Sequence, residues 1–405
     1  MKVSRMIKDK RIYVILAFFA ILIITVVAIK YNNWALRKPE NYKVKRPAPY
    51  TFPGEFEKQQ AIWMQWPSEI YNTGNRPVYP VIINMVKALD PYIRVKLISQ
   101  SEEEIEQIRA IFNKHGYLGT NVDYYIINHR SIWTRDVGPI FVKDRYSGMS
   151  VVNFNFNNYS RGGNHHYINV EGQVDKLTAQ ALKLPLINTN LISEGGAIES
   201  NGKGTLMITE SVALTRNPKL SKKQIENEYK RVLGVKKIIW LKKGLAEDDQ
   251  ITNGHIDEIA RFSSPNTILL AQVLPEDRYI NSISQKSYLR LEDNYRILLN
   301  STDQDGMKFR IVRIPMPTTL YGEADNQGKI PVRSYLNYVV TNGAILMQTY
   351  WIPGRSNKLK NLEKEVRTIF KKEFPGRTVI GINAENVNLW GGGMHCITQH
   401  MPAIK

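Results

Sequence analysis

Two hydrophobic periods alternate along most of this chain. At residues 78–89 (VYPVIINMVKAL), 102–116 (EEEIEQIRAIFNKHG), 222–234 (KKQIENEYKRVLG) and 362–374 (LEKEVRTIFKKEF), apolar positions return every three or four residues and predict helices with one buried face. Short apolar runs at 94–99 (RVKLIS), 236–241 (KKIIWL), 343–350 (GAILMQTY) and 378–382 (TVIGI) predict strands. Ser221 and Gln224 have the spacing of a capping box that opens the third helix, and Gly234 supplies its stop. Interleaved helices and strands predict an α/β fold. No Gly/Ser linker or low-complexity tract divides residues 47–405, which read as one large domain.

The first 46 residues break the pattern. Residues 12–29 (IYVILAFFAILIITVVAI) are an uncharged apolar run of transmembrane length. Lys2, Arg5, Lys8, Lys10 and Arg11 precede it, which is the layout of a signal anchor. The expectation is a basic N-terminus with a single-pass membrane helix and linker at 1–46, and a catalytic domain outside the cytoplasm. Cleavage after Val26, Val27 and Ala28 would give a secreted form instead.

Charge narrows the partners. Of the formal +18, residues 1–50 contribute +9, from eleven Lys or Arg against Asp9 and Glu40. Half the excess therefore sits beside the apolar run, where anionic lipid headgroups are the simplest partner. No aromatic RNP-like strand, zinc spacing or helix-turn-helix pattern accompanies the basic residues, so nucleic acid is not expected. A homo-oligomer is compatible with the sequence.

Candidate chemistry lies on the loops. Cys396, the only cysteine, stands in WGGGMHCITQHMP at 390–402, where Gly391, Gly392 and Gly393 allow close backbone approach to a ligand. Other polar loops hold Trp133, Arg135 and Asp136 (IWTRDVGPIFV), Glu194 (LISEGGAIES), His255 and Asp257 (NGHIDEIARF), and Asp325 and Asn337 (GEADNQGKIPVRSYLNY). Taken singly, each reads as a salt-bridged or capped turn. Their spacing is more telling: 58 residues from Asp136 to Glu194, 61 from Glu194 to His255, and 141 from His255 to Cys396. Five modules of roughly 60 to 70 residues would each deliver one polar loop to a common centre. A thiol near neutral pH needs a cationic or proton-carrying partner, which His255 can be. Two carboxylates, Asp136 and Asp257, suit a planar cation with parallel N–H donors, so the set points to a guanidinium substrate.

WTRDVGP, ISEGG, NGHIDEIARF, SYLNY and GGGMHCITQHMP, in this order, resemble the agmatine deiminase and Porphyromonas-type peptidylarginine deiminase family. The likeness starts near FPGEFEKQQAIWMQWP at residue 52 and runs to the C-terminus. It implies a pentein fold, a five-bladed α/β propeller with a central active site. It also implies Cys396 as nucleophile, His255 as general acid/base, Asp136 and Asp257 as guanidinium carboxylates and Glu194 as a supporting acid. Trp133 would wall the cleft, Asn337 would contact substrate, and Arg161 (NNYSRGGNHH) would meet a substrate carboxylate. The implied reaction converts agmatine, arginine or peptidyl-arginine to a ureido product plus ammonia, with no metal or organic cofactor. Two departures bear on the substrate: Asn253 stands where many members have an acid, and the glycine loop is one residue shorter than GGGNIHC.

Two other classes compete. A papain-like thiol protease would carry its C-G-S-C-W type signature near the mature N-terminus, and this chain has none. A membrane-anchored pentein that binds without turnover would keep Cys396 apart from His255.

Overall fold

Sixteen strands build the described structure, and they repeat one pattern. The computed structural model describes residues 50–404, except Ser147 and 321–329. These residues belong to the compact unit Ala48–Lys405. β1 (Gln59–Gln65), β2 (Arg94–Ser99) and β3 (Val122–Ile126) run parallel in one sheet. Then follow β4 (Ile140–Lys143), β5 (Met149–Asn153) and β6 (Leu186–Asn188); β7 (Ile198–Ser200), β8 (Thr205–Thr209) and β9 (Lys237–Leu241); β10 (Ala260–Ser264), β11 (Thr267–Gln272) and β12 (Arg310–Pro315); and β13 (Val339–Val340), β14 (Ala344–Thr349) and β15 (Thr378–Asn383). In each of these four sheets the first two strands are antiparallel and the third is parallel to the second. β16 (Gln399–Pro402) returns to pair antiparallel with β1, so the last strand gives the first sheet the same opening. Helices occupy the crossovers that parallel pairing requires.

All four predicted helices form, at Tyr79–Leu89, Glu102–Lys114, Lys222–Leu233 and Asn357–Glu373, and the four predicted strands are β2, β9, β14 and β15. In Lys222–Leu233 the side chains of Ile225, Tyr229, Val232 and Leu233 are buried, the spacing of a single helical face. Each such aliphatic side chain contributes roughly 1.5–3 kcal/mol by leaving water. Ser221 and Gln224 form the expected capping box, and Gly234 ends the helix in the left-handed conformation at φ 70°.

The repeat positions the chemistry. Asp136 directly precedes β4, Glu194 precedes β7, His255 and Asp257 precede β10, Asn337 precedes β13 and Cys396 precedes β16. Each polar loop thus enters the opening strand of one sheet, and the even sequence spacing reflects the length of one sheet-plus-crossover unit.

The membrane expectation is corrected here. Among the described residues no helix is long and apolar enough to cross a membrane. The 12–29 run, on which the anchored, extracytoplasmic placement and the lipid partner rested, lies outside the described residues, as does Asp325.

Candidate active site

Short turns, not long elements, hold the polar side chains. Asp136 sits in the one-turn helix Thr134–Val137, Glu194 before the 3₁₀ turn Gly195–Ala197, and Asp257 in the 3₁₀ turn Ile256–Glu258 that begins just after His255. These turns pack against one another. Two glycines let them approach. A Cβ on Gly196 would lie 2.4 Å from His255 Nδ1 and 2.9 Å from Asp136 Oδ1, and one on Gly392 would lie 2.8 Å from the Trp133 ring and 3.0 Å from Cys396 Sγ. The Trp133 ring and Cys396 Sγ therefore flank the same glycine.

Cys396, His255, Asp136, Asp257, Glu194 and Asn337 are all buried, in one group of contacts around Cys396 and another around His255 that are coupled through the charges of Asp136 and Asp257. Cys396 Sγ lies 3.5 Å from Asp257 Oδ2 and 3.8 Å from Glu258 Oε1. The Asn337 amide donates to Sγ at 3.1 Å, to Glu258 Oε1 at 2.7 Å and toward Asp257 Oδ2 at 3.4 Å. His255 Nε2 is 3.0 Å from Glu194 Oε1, and its Nδ1 is 3.9 Å from Asp136 Oδ1. Asp136 accepts from the Gly196 amide at 3.0 Å and from the Tyr159 hydroxyl at 2.9 Å.

Burial and like charge set the protonation states. Burial raises Asp136, and Glu194 and Asp257 add to it against the pull of His255, so its pKa stands at about 6. For His255 burial works downward, but Asp136, Glu194 and Asp257 outweigh it and lift the imidazole to about 9. Burial would raise Glu194 too. Arg216, which donates to Glu194 Oε1 at 2.8 and 2.5 Å, and His255 reverse that and hold it at about 2. The Cys396 thiol is pushed well above its ordinary value, first by burial and then by Asp257, Glu258 and Asp136. These charges favour a neutral thiol at Cys396 and a protonated imidazole at His255.

Several of these residues escape a reading of the sequence. Glu258, Arg216 and Tyr159 belong to the network, and Asp248 braces it. The Asp248 carboxylate accepts from Thr252 Oγ1 and from the amides of Gly254 and His255, at 3.1 and 2.9 Å. Asp248 thereby supplies an acid to the loop in which Asn253 stands. Asn253 itself is at φ 71°, a conformation asparagine tolerates better than most residues. The one local hint of Asp248 was its place in a run of acids, Glu247 to Asp249. Arg161 is exposed: its guanidinium lies 4.9 Å from the Tyr159 ring centroid, which places it at the outer edge of the group around Asp136.

A second buried ionic cluster lies behind Asp257. His395 Nδ1 is 2.8 Å from Asp257 Oδ2, and its Nε2 is 2.9 Å from Glu55 Oε2. Glu55 also pairs with Arg135 at 2.5 Å and with Arg261, which in turn donates to Glu199 at 3.0 Å. Burial alone would raise Glu55, yet Arg135, His395, His400 and Arg261 hold it well below the carboxylate range. A cavity lined by Glu55, Arg135, Glu199 and His400 opens on this side, away from Sγ.

Among the described residues two donor sets are close enough to chelate a cation, Glu55/His395/His400 and Asp257/Glu258/Cys396. A metal in the first would face the guanidinium groups of Arg135 and Arg261, which repel it. The second already receives the Asn337 N–H donors, a pattern suited to an organic cation whose own N–H groups complete the set. The acceptor set around Sγ suits a buried cation rich in N–H donors.

Known proteins resemble this chain over most of its length. The family model described as Porphyromonas-type peptidyl-arginine deiminase matches residues 51–402. The agmatine deiminase of Medicago truncatula is 29% identical over 386 residues, covering 88% of this chain and 97% of that protein. The solved agmatine deiminase of Enterococcus faecalis superposes with a TM-score of 0.76 at 26% identity, covering 89% of this chain and 99% of that one. A substrate-bound agmatine deiminase of C. jejuni, 23% identical with a TM-score of 0.72 over 88% of this chain and 96% of its own, shares the fold.

Proposed function

The chain belongs to the Porphyromonas-type peptidyl-arginine deiminase family, an enzyme of C–N bond hydrolysis, and from that premise we propose that it hydrolyses agmatine through a covalent cysteine intermediate. One observation carries the reading: Cys396 Sγ is buried 3.5 Å from Asp257, and the charges of Asp136 and Asp257 act both on this thiol and on His255, which they help to raise to about 9. The deiminase domain is 47–405, and its five sheets are read as five blades around the site. Agmatine leads because the similar proteins carry that activity in their names. Arginine and peptidyl-arginine present the same reacting group.

The bound guanidinium completes the electrostatics. Asp136 and Asp257 accept its N–H groups and orient its carbon toward Sγ. A unit positive charge about 4 Å from sulphur is worth about 4 kcal/mol at an effective dielectric near 20, about three pKa units in favour of the thiolate. Substrate thus offsets the repulsion that keeps the thiol neutral at rest. The thiol proton passes to solvent as the thiolate forms, Sγ attacks the guanidinium carbon to give a tetrahedral adduct, and His255 protonates the departing nitrogen so that ammonia leaves and a thiouronium adduct remains. His255, now neutral, takes a proton from water, and the resulting hydroxide adds to the same carbon. The C–S bond breaks with its electron pair returning to sulphur, and the ureido product departs. Glu194, tied to Arg216, keeps the imidazole in place through both stages.

The test is a colorimetric ureido assay, coupled to ammonia detection, on agmatine, arginine and an arginyl peptide. Wild-type protein should turn over agmatine, and Cys396→Ser should fall by about a thousandfold or more while keeping its melting temperature. Absence of ammonia from all three compounds would refute the reading.

A further inference from the structure

Two buried carboxylate oxygens in the Cys396 cluster have no hydrogen-bond partner. They are Asp257 Oδ1 and Glu258 Oε2, on adjacent residues of one 3₁₀ turn. The other oxygen of each carboxylate is engaged: Asp257 Oδ2 accepts from His395 and lies 3.5 Å from Sγ, and Glu258 Oε1 accepts from Asn337 and lies 3.8 Å from Sγ. A buried acceptor left unsatisfied costs roughly 1–3 kcal/mol, so native structures keep few without a use. Asp257 already has a use in gripping substrate. Glu258 has none in the mechanism above, although it is as close to the reacting sulphur as that mechanism requires.

We propose that Glu258 is a further substrate-binding carboxylate, its Oε2 accepting an N–H of the guanidinium beside Asp136 and Asp257. This rests on the guanidinium substrate proposed above. A guanidinium carries more N–H donors than two carboxylates can satisfy, and a third acceptor on the cysteine side would fix the plane of the ion as well as its position.

Protonation gives the proposal a signature. Glu258 is 3% exposed, and burial raises its pKa well above the carboxylate range; Asp257, Asp248 and Glu247 from its own segment push the same way, while Cys396 opposes. Tyr350, just past β14, is the further titratable group that feels its charge. Free protein therefore holds Glu258 as the neutral acid over a range where ordinary carboxylates are ionised. A cation arriving at Oε2 favours the carboxylate, the O–H proton leaves to solvent, and its electron pair stays on oxygen. Affinity for the guanidinium should rise with pH as Glu258 ionises in the free protein, and binding below that point should release a proton.

The experiment is calorimetric titration of agmatine into Cys396→Ser protein, in buffers of different ionisation enthalpy and at several pH values. The expected result is proton release on binding, most of it lost in Cys396→Ser/Glu258→Gln. The double variant should also bind about 10- to 100-fold more weakly at the alkaline end, with the gap closing toward acid, where glutamic acid and glutamine are both neutral. Glu258→Asp, which keeps the titrating group, should restore part of the proton release and checks that the pocket still folds. A gap that is absent, or equal at every pH, overturns the proposal while leaving deiminase turnover intact. Failure of wild-type protein to consume any guanidinium compound overturns both readings together.

Discussion

Two buried ionic clusters meet at Asp257 and are built on opposite principles. Behind it, Glu55 and Glu199 are answered by Arg135 and Arg261, and Arg261 is fully buried with its guanidinium shared between them and the carbonyls of Leu336 and Tyr338. In front, Asp257 and Glu258 contact Cys396, Asp136 acts on it through its charge and faces His255 as the cation, and two carboxylate oxygens are left unpaired. The rear cluster has its counter-charges built in and joins strands β7 and β10 to the turn that holds Arg135 and the segment before β1 that holds Glu55. The front cluster lacks them, which is the state a pocket should have if the missing positive charge arrives with the substrate. The same residue types therefore serve structure in one place and binding in the other, according to whether arginine is present.

Substitutions should separate the two. The largest effect is expected behind: Arg261→Met leaves the buried Glu199 without its arginine and Glu55 with Arg135 as its remaining arginine, and should cost about 3–5 kcal/mol in denaturant unfolding. A loss below 1 kcal/mol would mean the rear pairs are not structural. In front, Asp136→Asn should lower kcat/KM by about a hundred- to a thousandfold while leaving stability unchanged or raised, because it relieves repulsion among carboxylates. Clear destabilisation by this variant would erase the contrast.

A smaller effect comes from pH. Asp136 must be ionised to hold the guanidinium, which requires pH above its value of about 6, and His255 must be protonated to release ammonia, which requires pH below its value of about 9. A plot of kcat/KM against pH should be bell-shaped with limbs near those values, and Asp136→Asn should remove the acid limb. The smallest effect should come from Asn253→Asp, within about twofold of wild type by initial rates, since both residues tolerate the left-handed backbone and Asp248 already holds the loop.

What the sequence discloses follows from the range of the forces involved. Helices with aliphatic inner faces were readable, but the helix Ser282–Asn300 was not. Its buried positions are Ser284, Ser287, Leu291, Asn294 and Leu298, a regular face made partly of polar residues. Those polar groups cap neighbouring loops, Ser287 through the Ala246 amide and Asn294 through Lys242 and Lys243, so the hydrophobic period is diluted. Cys396, His255, Asp136, Asp257, Glu194 and Asn337 were legible because each marks a loop that recurs once per sheet. The pairing of Glu55 with Arg261 joins residues 206 apart and leaves no local trace. Glu258 was hidden by its neighbour, since NGHIDEIARF draws attention to the histidine and aspartate and gives no sign that the next acid turns inward.

The central claim is that the front cluster delivers a thiolate to a guanidinium carbon. Rapid acid quenching of wild-type protein during agmatine turnover, followed by proteolysis and mass spectrometry, tests it most directly. The peptide containing Cys396 should carry the mass of agmatine less ammonia, and the label should vanish as substrate is exhausted. Steady ureido production with that peptide unmodified at every quench time, or with the label on another residue, would contradict the account.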